Sequence, residues 1–190
     1  MSTRFLKKDK SILVGIAKNG SQSIKQIYLK YDGFQNREQQ GLDWNVDNFI
    51  DWNDSDLQIL IPVRTEMERA RSELLEIAMV EDIDVTKPFH PRLDYFSNDV
   101  MNFFITNIIF HEHWTGAKVR FFDLDKLSTH IPKYLGWDVE IPYYNTAKES
   151  SKKLDLMEKL KDVRIVVPGI NEIFYHALKK SKYWIHIWKH

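Results

Sequence analysis

Three short apolar runs stand out along the chain: residues 11–17 around Ile12, Leu13 and Val14, "LQILIPV" at 57–63, and "AKVRFFDL" at 117–124. Their apolar character is continuous rather than alternating. That is the pattern of strands covered on both faces, as in parallel sheets. Between and after them the spacing becomes helical. Ile24, Ile27, Tyr28 and Tyr31 predict a helix over 21–31. Met67, Ala70, Leu74, Ile77 and Ala78 predict a second one, opened by Thr65 and Glu68 in a capping-box pattern. A long helix is expected over 94–114, apolar nearly all round and therefore central, with Phe96, Val100, Phe104 and Ile108 on its main face. Another is expected over 125–135, ending at Gly136 as C-cap, and two more around 152–161 and 170–182. The polar segment 32–56, the proline-bearing "KPFHPRLD" and residues 138–153 read as connections. This order of strands and helices predicts an α/β fold with a mostly parallel sheet flanked by helices. Ligands in such folds sit at the carboxyl ends of strands, so the exits at Lys18 and Arg64 are the favoured places for a site.

Composition narrows the function without naming it. A chain of 190 residues predicts one domain, spanning 1–190. Lysine plus arginine and aspartate plus glutamate each number 27, and a zero net charge argues against a nucleic-acid partner. There is no cysteine, which excludes disulfides, thiolate metal sites and a cysteine nucleophile. "MSTRFLKKDK" has no apolar core of the signal-peptide kind, and "FFITNIIF" is too short to span a bilayer. A soluble, cytoplasmic protein is expected. Six tryptophans and eleven phenylalanines fit a dense aromatic core, or else a surface that binds sugars or other flat ligands. No metal-ligand set emerges. His111 and His113 come nearest, and their spacing suits a strand better than the helix expected there.

Candidate chemistry begins in "SILVGIAKNGSQSIKQIYLKY". Gly15 and Gly20 have the separation of the glycines in a nucleotide-binding P-loop, but Ser21 stands where its lysine belongs, and Lys18 comes before the second glycine. A strand, a loop and a helix in this order aim the helix's free N–H groups and positive dipole end at the loop. Gly20 allows close backbone approach, Ser21, Gln22 and Ser23 add polar side chains, and Lys18 adds a charge. The result is a cradle for an anion. A plain strand–turn–helix with a capping serine uses the same residues. The second exit carries Arg64, with Ser72 eight residues on. Arginine suits bidentate phosphate binding. If the helix packs back across the site, the pair would share one phosphate group.

Together the two loops resemble the sulfotransferase family, which uses 3′-phosphoadenosine 5′-phosphosulfate (PAPS). Its first motif reads roughly P-K-[ST]-G-[ST]-[TS]-x-[LI] after the first strand; here "AKNGSQSI" places Lys18, Gly20, Ser21 and Ser23 in register. Its second is an arginine leaving a strand with a serine eight residues later, matched by Arg64 and Ser72. "VRFFDLDKLSTHIPKYLGW" is similar to the family's later strand, acidic-leucine pair and following helix, and "IPYYNTAKES" to the loop after it. Ala17, Asn19, Gln22 and Thr65–Glu66 depart from the motifs, and the family's basic, glycine-rich third motif is absent. The likeness is closer to the carbohydrate-type and bacterial members than to the small-molecule cytosolic type.

The resemblance implies a sulfotransferase that moves a sulfuryl group from PAPS to a hydroxyl on a carbohydrate or small metabolite, without metal. Lys18, Asn19, Gly20, Ser21, Gln22 and Ser23 would hold the 5′-phosphosulfate, with Lys18 balancing charge on the leaving phosphate. Arg64 and Ser72 would hold the 3′-phosphate. Related members place a glutamate after the first helix, which makes Glu38 the candidate base, followed by Asp43 and His111. A non-catalytic nucleotide-binding module on the same fold is the alternative. A P-loop kinase would need a lysine after Gly20 and a magnesium-binding aspartate after a strand, and Pro62–Val63–Arg64 supplies none.

Overall fold

The computed structural model describes residues 2–16, 20–40, 49–91, 117–141 and 151–186. Five strands form one sheet: β1 (Ser2–Lys8), β2 (Ser11–Gly15), β3 (Gln35–Gln40), β4 (Gln58–Val63) and β5 (Lys118–Asp123), in the order β3-β1-β2-β4-β5. The expected runs at 11–17, 57–63 and 117–124 are the three strands β2, β4 and β5, which pair in parallel. The fold is α/β, but the sheet is mixed: β1 pairs antiparallel with both β2 and β3. Two of these four pairings are parallel, so "mostly parallel" is corrected.

The antiparallel half explains itself after the fact. β1 and β2 form a hairpin in which Lys8 faces Ser11, leaving Asp9 and Lys10 as the turn. Asp9 adopts φ 53, a left-handed conformation that aspartate tolerates better than most residues. β3 lies within the segment expected to be irregular. It is an edge strand of glutamine, asparagine, arginine and glutamate, and an edge strand without apolar residues leaves no periodic apolar signal.

The sheet is buried on both faces. Phe5, Ile12, Val14, Ile59, Ile61, Val63, Val119 and Phe121 point to one, and Leu6, Leu13, Leu60 and Phe122 to the other. Helix α1 (Ser21–Lys30) covers the second face through Ile24 and Ile27, both fully buried. Each such side chain contributes about 1.5–3 kcal/mol. Helix α2 (Glu66–Ala78) follows β4. After β5 the expected helix over 125–135 is divided. A 3-10 turn at Leu124–Lys126 is followed by a separate helix α3 (Ile131–Leu135). Pro132, which lacks an N–H, sits in the first turn of α3, where proline is tolerated, and Gly136 closes it with φ 66.

Helix α4 (Ser151–Leu160) joins α2 through Leu160 and Leu74, and α5 (Ile170–Lys180) packs Tyr175 and Leu178 on the first face of the sheet. Behind α5 the chain bridges to β5: Phe121 donates to Tyr183 and accepts from Ile185. The expected helix over 94–114 lies outside the described residues. Among the described residues no helix is long and apolar enough to cross a membrane.

Candidate functional site

The loops after β2 and β4 leave the same end of two adjacent parallel strands. Pairing between these strands ends at Leu13 and Leu60, so Pro62 stands beyond β2's ladder and its missing N–H costs little there. The first turn of α1 takes that place. Two glycines allow it. A Cβ on Gly15 would lie 2.7 Å from the Ser21 Cα and 2.7 Å from the Ile24 Cδ1. Gly20, at φ 84, caps α1, and a Cβ there would lie 2.8 Å from both Leu124 and Leu127. Side chains at either position would push the helix start off the sheet. Gly20 has no side chain to cap α1, and the first turn holds no acid. Ser21 and Ser23 are buried in that turn, while Gln22 is exposed.

At the exit of β4, half-buried Arg64 lines a cavity of about 460 Å³. Thr65 and Glu68 from the start of α2, Asp123, Leu124 and Asp125 from the end of β5, and Tyr175 from α5 complete most of its wall. Leu124 therefore belongs to both exits: it faces Gly20 and it lines the Arg64 cavity. Ser72, also half-buried, follows Glu68 by one helical turn and is not part of the wall.

The cavity's carboxylates are all engaged. Glu68 Oε2 accepts from the Thr65 backbone N–H at 3.1 Å and from the Thr65 hydroxyl at 2.9 Å, while Thr65 Oγ1 accepts from the Glu68 N–H at 3.2 Å. This is the reciprocal capping box anticipated from the sequence. Asp123 accepts from the Tyr175 hydroxyl and from Lys179 Nζ, the latter at 3.1 Å. Asp125 pairs with Lys126 at 2.7 Å. Burial, and then the bond to Asp123, pushes the Tyr175 phenol well above its ordinary pKa. It stays protonated at neutral pH and acts as a donor. Beside the cavity, Glu172 of α5 accepts from the Glu66 N–H at 3.2 Å through one oxygen and meets His176 Nε2 at 3.1 Å through the other.

Of the residues expected from the sequence, Gly20, Ser21, Gln22 and Ser23 form the start of α1, and Arg64 lies in the adjoining cavity. Lys18, Asn19, Asp43, His111 and His113 lie outside the described residues. Glu38 sits on β3, facing Arg4 of β1, which in turn faces Gly15 of β2. It is thus level with the first loop but two strands away, roughly 10 Å at the usual strand spacing. Its carboxylate contacts the buried Arg4 guanidinium at 2.5 Å. Asp123, Leu124 and Tyr175 were not anticipated as site residues. Asp123 and Leu124 had a signal, an acid and a leucine directly ending an apolar strand. Tyr175 had none, because its place depends on how α5 returns to the sheet.

Among the described residues no group of three or more histidine, aspartate or glutamate side chains is placed to hold a metal ion. Comparison with protein-family models, with curated proteins and with solved structures finds no match to this chain.

Proposed function

We propose that the chain is a small PAPS-dependent sulfotransferase, working in the cytoplasm on a hydroxyl of a carbohydrate or small metabolite. The observation that carries this reading is the meeting of the two loop exits at Leu124. It sets the start of α1, with Gly20, Ser21 and Ser23, beside the cavity that holds Arg64. A ligand with phosphate groups at both ends of a ribose needs two anion-binding places this close together.

In this reading the α1 end takes the 5′-phosphosulfate and Arg64 takes the 3′-phosphate, while Ser72, one turn behind the cavity wall, would join only if the ligand reaches past Glu68. The acceptor oxygen attacks sulfur, the bond from sulfur to the bridging phosphate oxygen breaks, and 3′-phosphoadenosine 5′-phosphate leaves. Charge grows on that phosphate as the bond breaks. Lys18 and the α1 N–H groups stabilise it, in the manner of phosphoryl-transfer sites. The acceptor proton passes to a base, for which Glu38 is the proposed residue.

The ion pair between Glu38 and Arg4 favours a second reading, a module that binds the nucleotide without transferring sulfate. Both readings predict the same first result. 3′-Phosphoadenosine 5′-phosphate should raise the melting temperature in magnesium-free buffer, since a ligand that binds only the native state stabilises it. ATP with magnesium should do much less. Equal or greater stabilisation by ATP would refute both in favour of a P-loop kinase.

A further inference from the structure

The start of α1 shares its corner of the sheet with a buried cation. Arg4 of β1 pairs in register with Gly15, the last residue of β2. Side chains alternate along a strand, so Arg4 falls on the face of Leu6 and Leu13, which α1 covers with Ile24 and Ile27. α1 packs on β1 as well as on β2. Its first turn lies over Gly15, and Arg4 stands one strand away, about 5 Å at the usual spacing. Arg4 is only 6 % exposed. One terminal nitrogen of its guanidinium meets Glu38 at 2.5 Å, while its buried Nε–H has no hydrogen-bond partner among the described residues. A buried donor left without an acceptor is costly, and most native structures avoid it. The neighbouring helix start adds to the imbalance, because Gly20 brings no side-chain cap and the first turn no acid. Glu38, which answers this positive charge, comes from the edge strand and has a side chain 43 % exposed.

We propose that Arg4 is an anion-binding residue of the first exit: its Nε–H donates to the phosphate or sulfate group held at the start of α1, and Glu38 fixes the guanidinium from the other side. The proposal rests on the reading of the α1 start as an anion site, and it applies to the transferase and to the binding module alike. Arginine suits the task. Its planar fork carries five N–H donors, so one guanidinium can hold a carboxylate through a terminal nitrogen and still present Nε–H in another direction. The anion would gain a charged donor and the N–H groups of a helix end together, and it would give the buried Nε–H its acceptor. An ion pair of purely structural purpose would not depend on any ligand.

Isothermal titration of the full chain separates the two. The wild type, Arg4→Lys, and Arg4→Met combined with Glu38→Gln are each titrated with 3′-phosphoadenosine 5′-phosphate, adenosine 3′-phosphate and inorganic phosphate. Lysine keeps the charge and can still meet Glu38, but it has no N–H at the Nε place. The double variant removes both charges at once, so no buried charge is stranded and the fold is kept. Both variants should bind 3′-phosphoadenosine 5′-phosphate about tenfold more weakly, the scale of one hydrogen bond to a charged group. Adenosine 3′-phosphate, which lacks the 5′-phosphate, should bind all three proteins equally. Unchanged binding of the bisphosphate by both variants overturns the proposal and leaves Arg4 as a structural ion pair. Equal losses for the two nucleotides overturn it as well, since they would report a general disturbance and not a contact with the 5′ group. If the wild type binds neither nucleotide, the sulfotransferase reading fails, and inorganic phosphate then decides for Arg4. Phosphate binding by the wild type that both variants weaken about tenfold upholds the anion site; equal binding, or none, overturns it.

Discussion

The starts of α1 and α2 occupy equivalent places, each following a parallel strand of the same sheet, and the sequence treats them in opposite ways. At α1 the cap is Gly20, the first turn holds no acid, and its buried polar side chains are two serines. At α2 the cap is Thr65, the first turn holds Glu66 and Glu68, and a further carboxylate arrives from α5. A helix start left without acids presents its N–H groups and dipole to whatever anion comes from outside. A start with its own carboxylates is satisfied from within and stabilised by about 0.5–2 kcal/mol for the cap. In the proposed reading, one strand exit takes its ligand at the helix end itself. In the same reading, the other leaves charge recognition to a side chain, Arg64, placed before the helix begins. The contrast also fits the division of roles in the proposed function, where charge changes during reaction at the first exit and stays constant at the second.

The largest effect is expected at the helix start that carries no acid of its own. Lys18→Ala should lower turnover by roughly two to three orders of magnitude, the scale of a lost transition-state contact, with a smaller loss in nucleotide affinity. The measurement is transfer from labelled PAPS to acceptors screened among sugars and small alcohols. If no acceptor is sulfated and Lys18→Ala binds the nucleotide as the wild type does, the first exit is not a reacting site. The binding-module reading then replaces the enzyme.

At the self-capped end the loss should fall on binding. Arg64→Ala should weaken 3′-phosphoadenosine 5′-phosphate by about 1.5–3 kcal/mol, the range of a hydrogen bond to a charged group. Adenosine 5′-phosphosulfate, which has no 3′-phosphate, should be almost unaffected. Calorimetry with both ligands checks this. Equal losses would mean that Arg64 does not read the 3′-phosphate.

The parts of this contrast that were legible in the sequence are those written in local spacing. Continuous apolar runs mark β2, β4 and β5, and Thr65 with Glu68 marks the α2 capping box. Gly15 and Gly20 were visible as a pair, but the clashes that require them, with Ser21 and Leu124, depend on tertiary packing. β1 was missed because its only apolar residues, Phe5 and Leu6, are flanked by Arg4, Lys7 and Lys8, and its turn, Asp9–Lys10, lacks the usual glycine. β3 was missed because its partners lie on one side only. Glu172 and Tyr175 were beyond reach for a different reason. They act through partners 106 and 52 residues away, and no single-chain periodicity encodes such a pairing.

The smallest effect is the one that tests the contrast most directly. Thr65→Ala removes the hydroxyl that accepts from the Glu68 N–H and donates to the Glu68 carboxylate. The Thr65 backbone N–H can still reach Glu68, so half of the capping box survives. Stability should fall by about 1 kcal/mol, the usual cost of an N-cap threonine, read as a lower urea midpoint with an unchanged slope. Affinity for 3′-phosphoadenosine 5′-phosphate should stay within a factor of about two if, as proposed, Arg64 and not the helix end recognises the phosphate. A self-capped helix loses stability when its cap is cut, whereas a ligand-capped helix loses affinity. If Thr65→Ala leaves the midpoint where it was but weakens the nucleotide as much as Arg64→Ala does, the start of α2 is a ligand site like that of α1. The two exits would then not differ in kind.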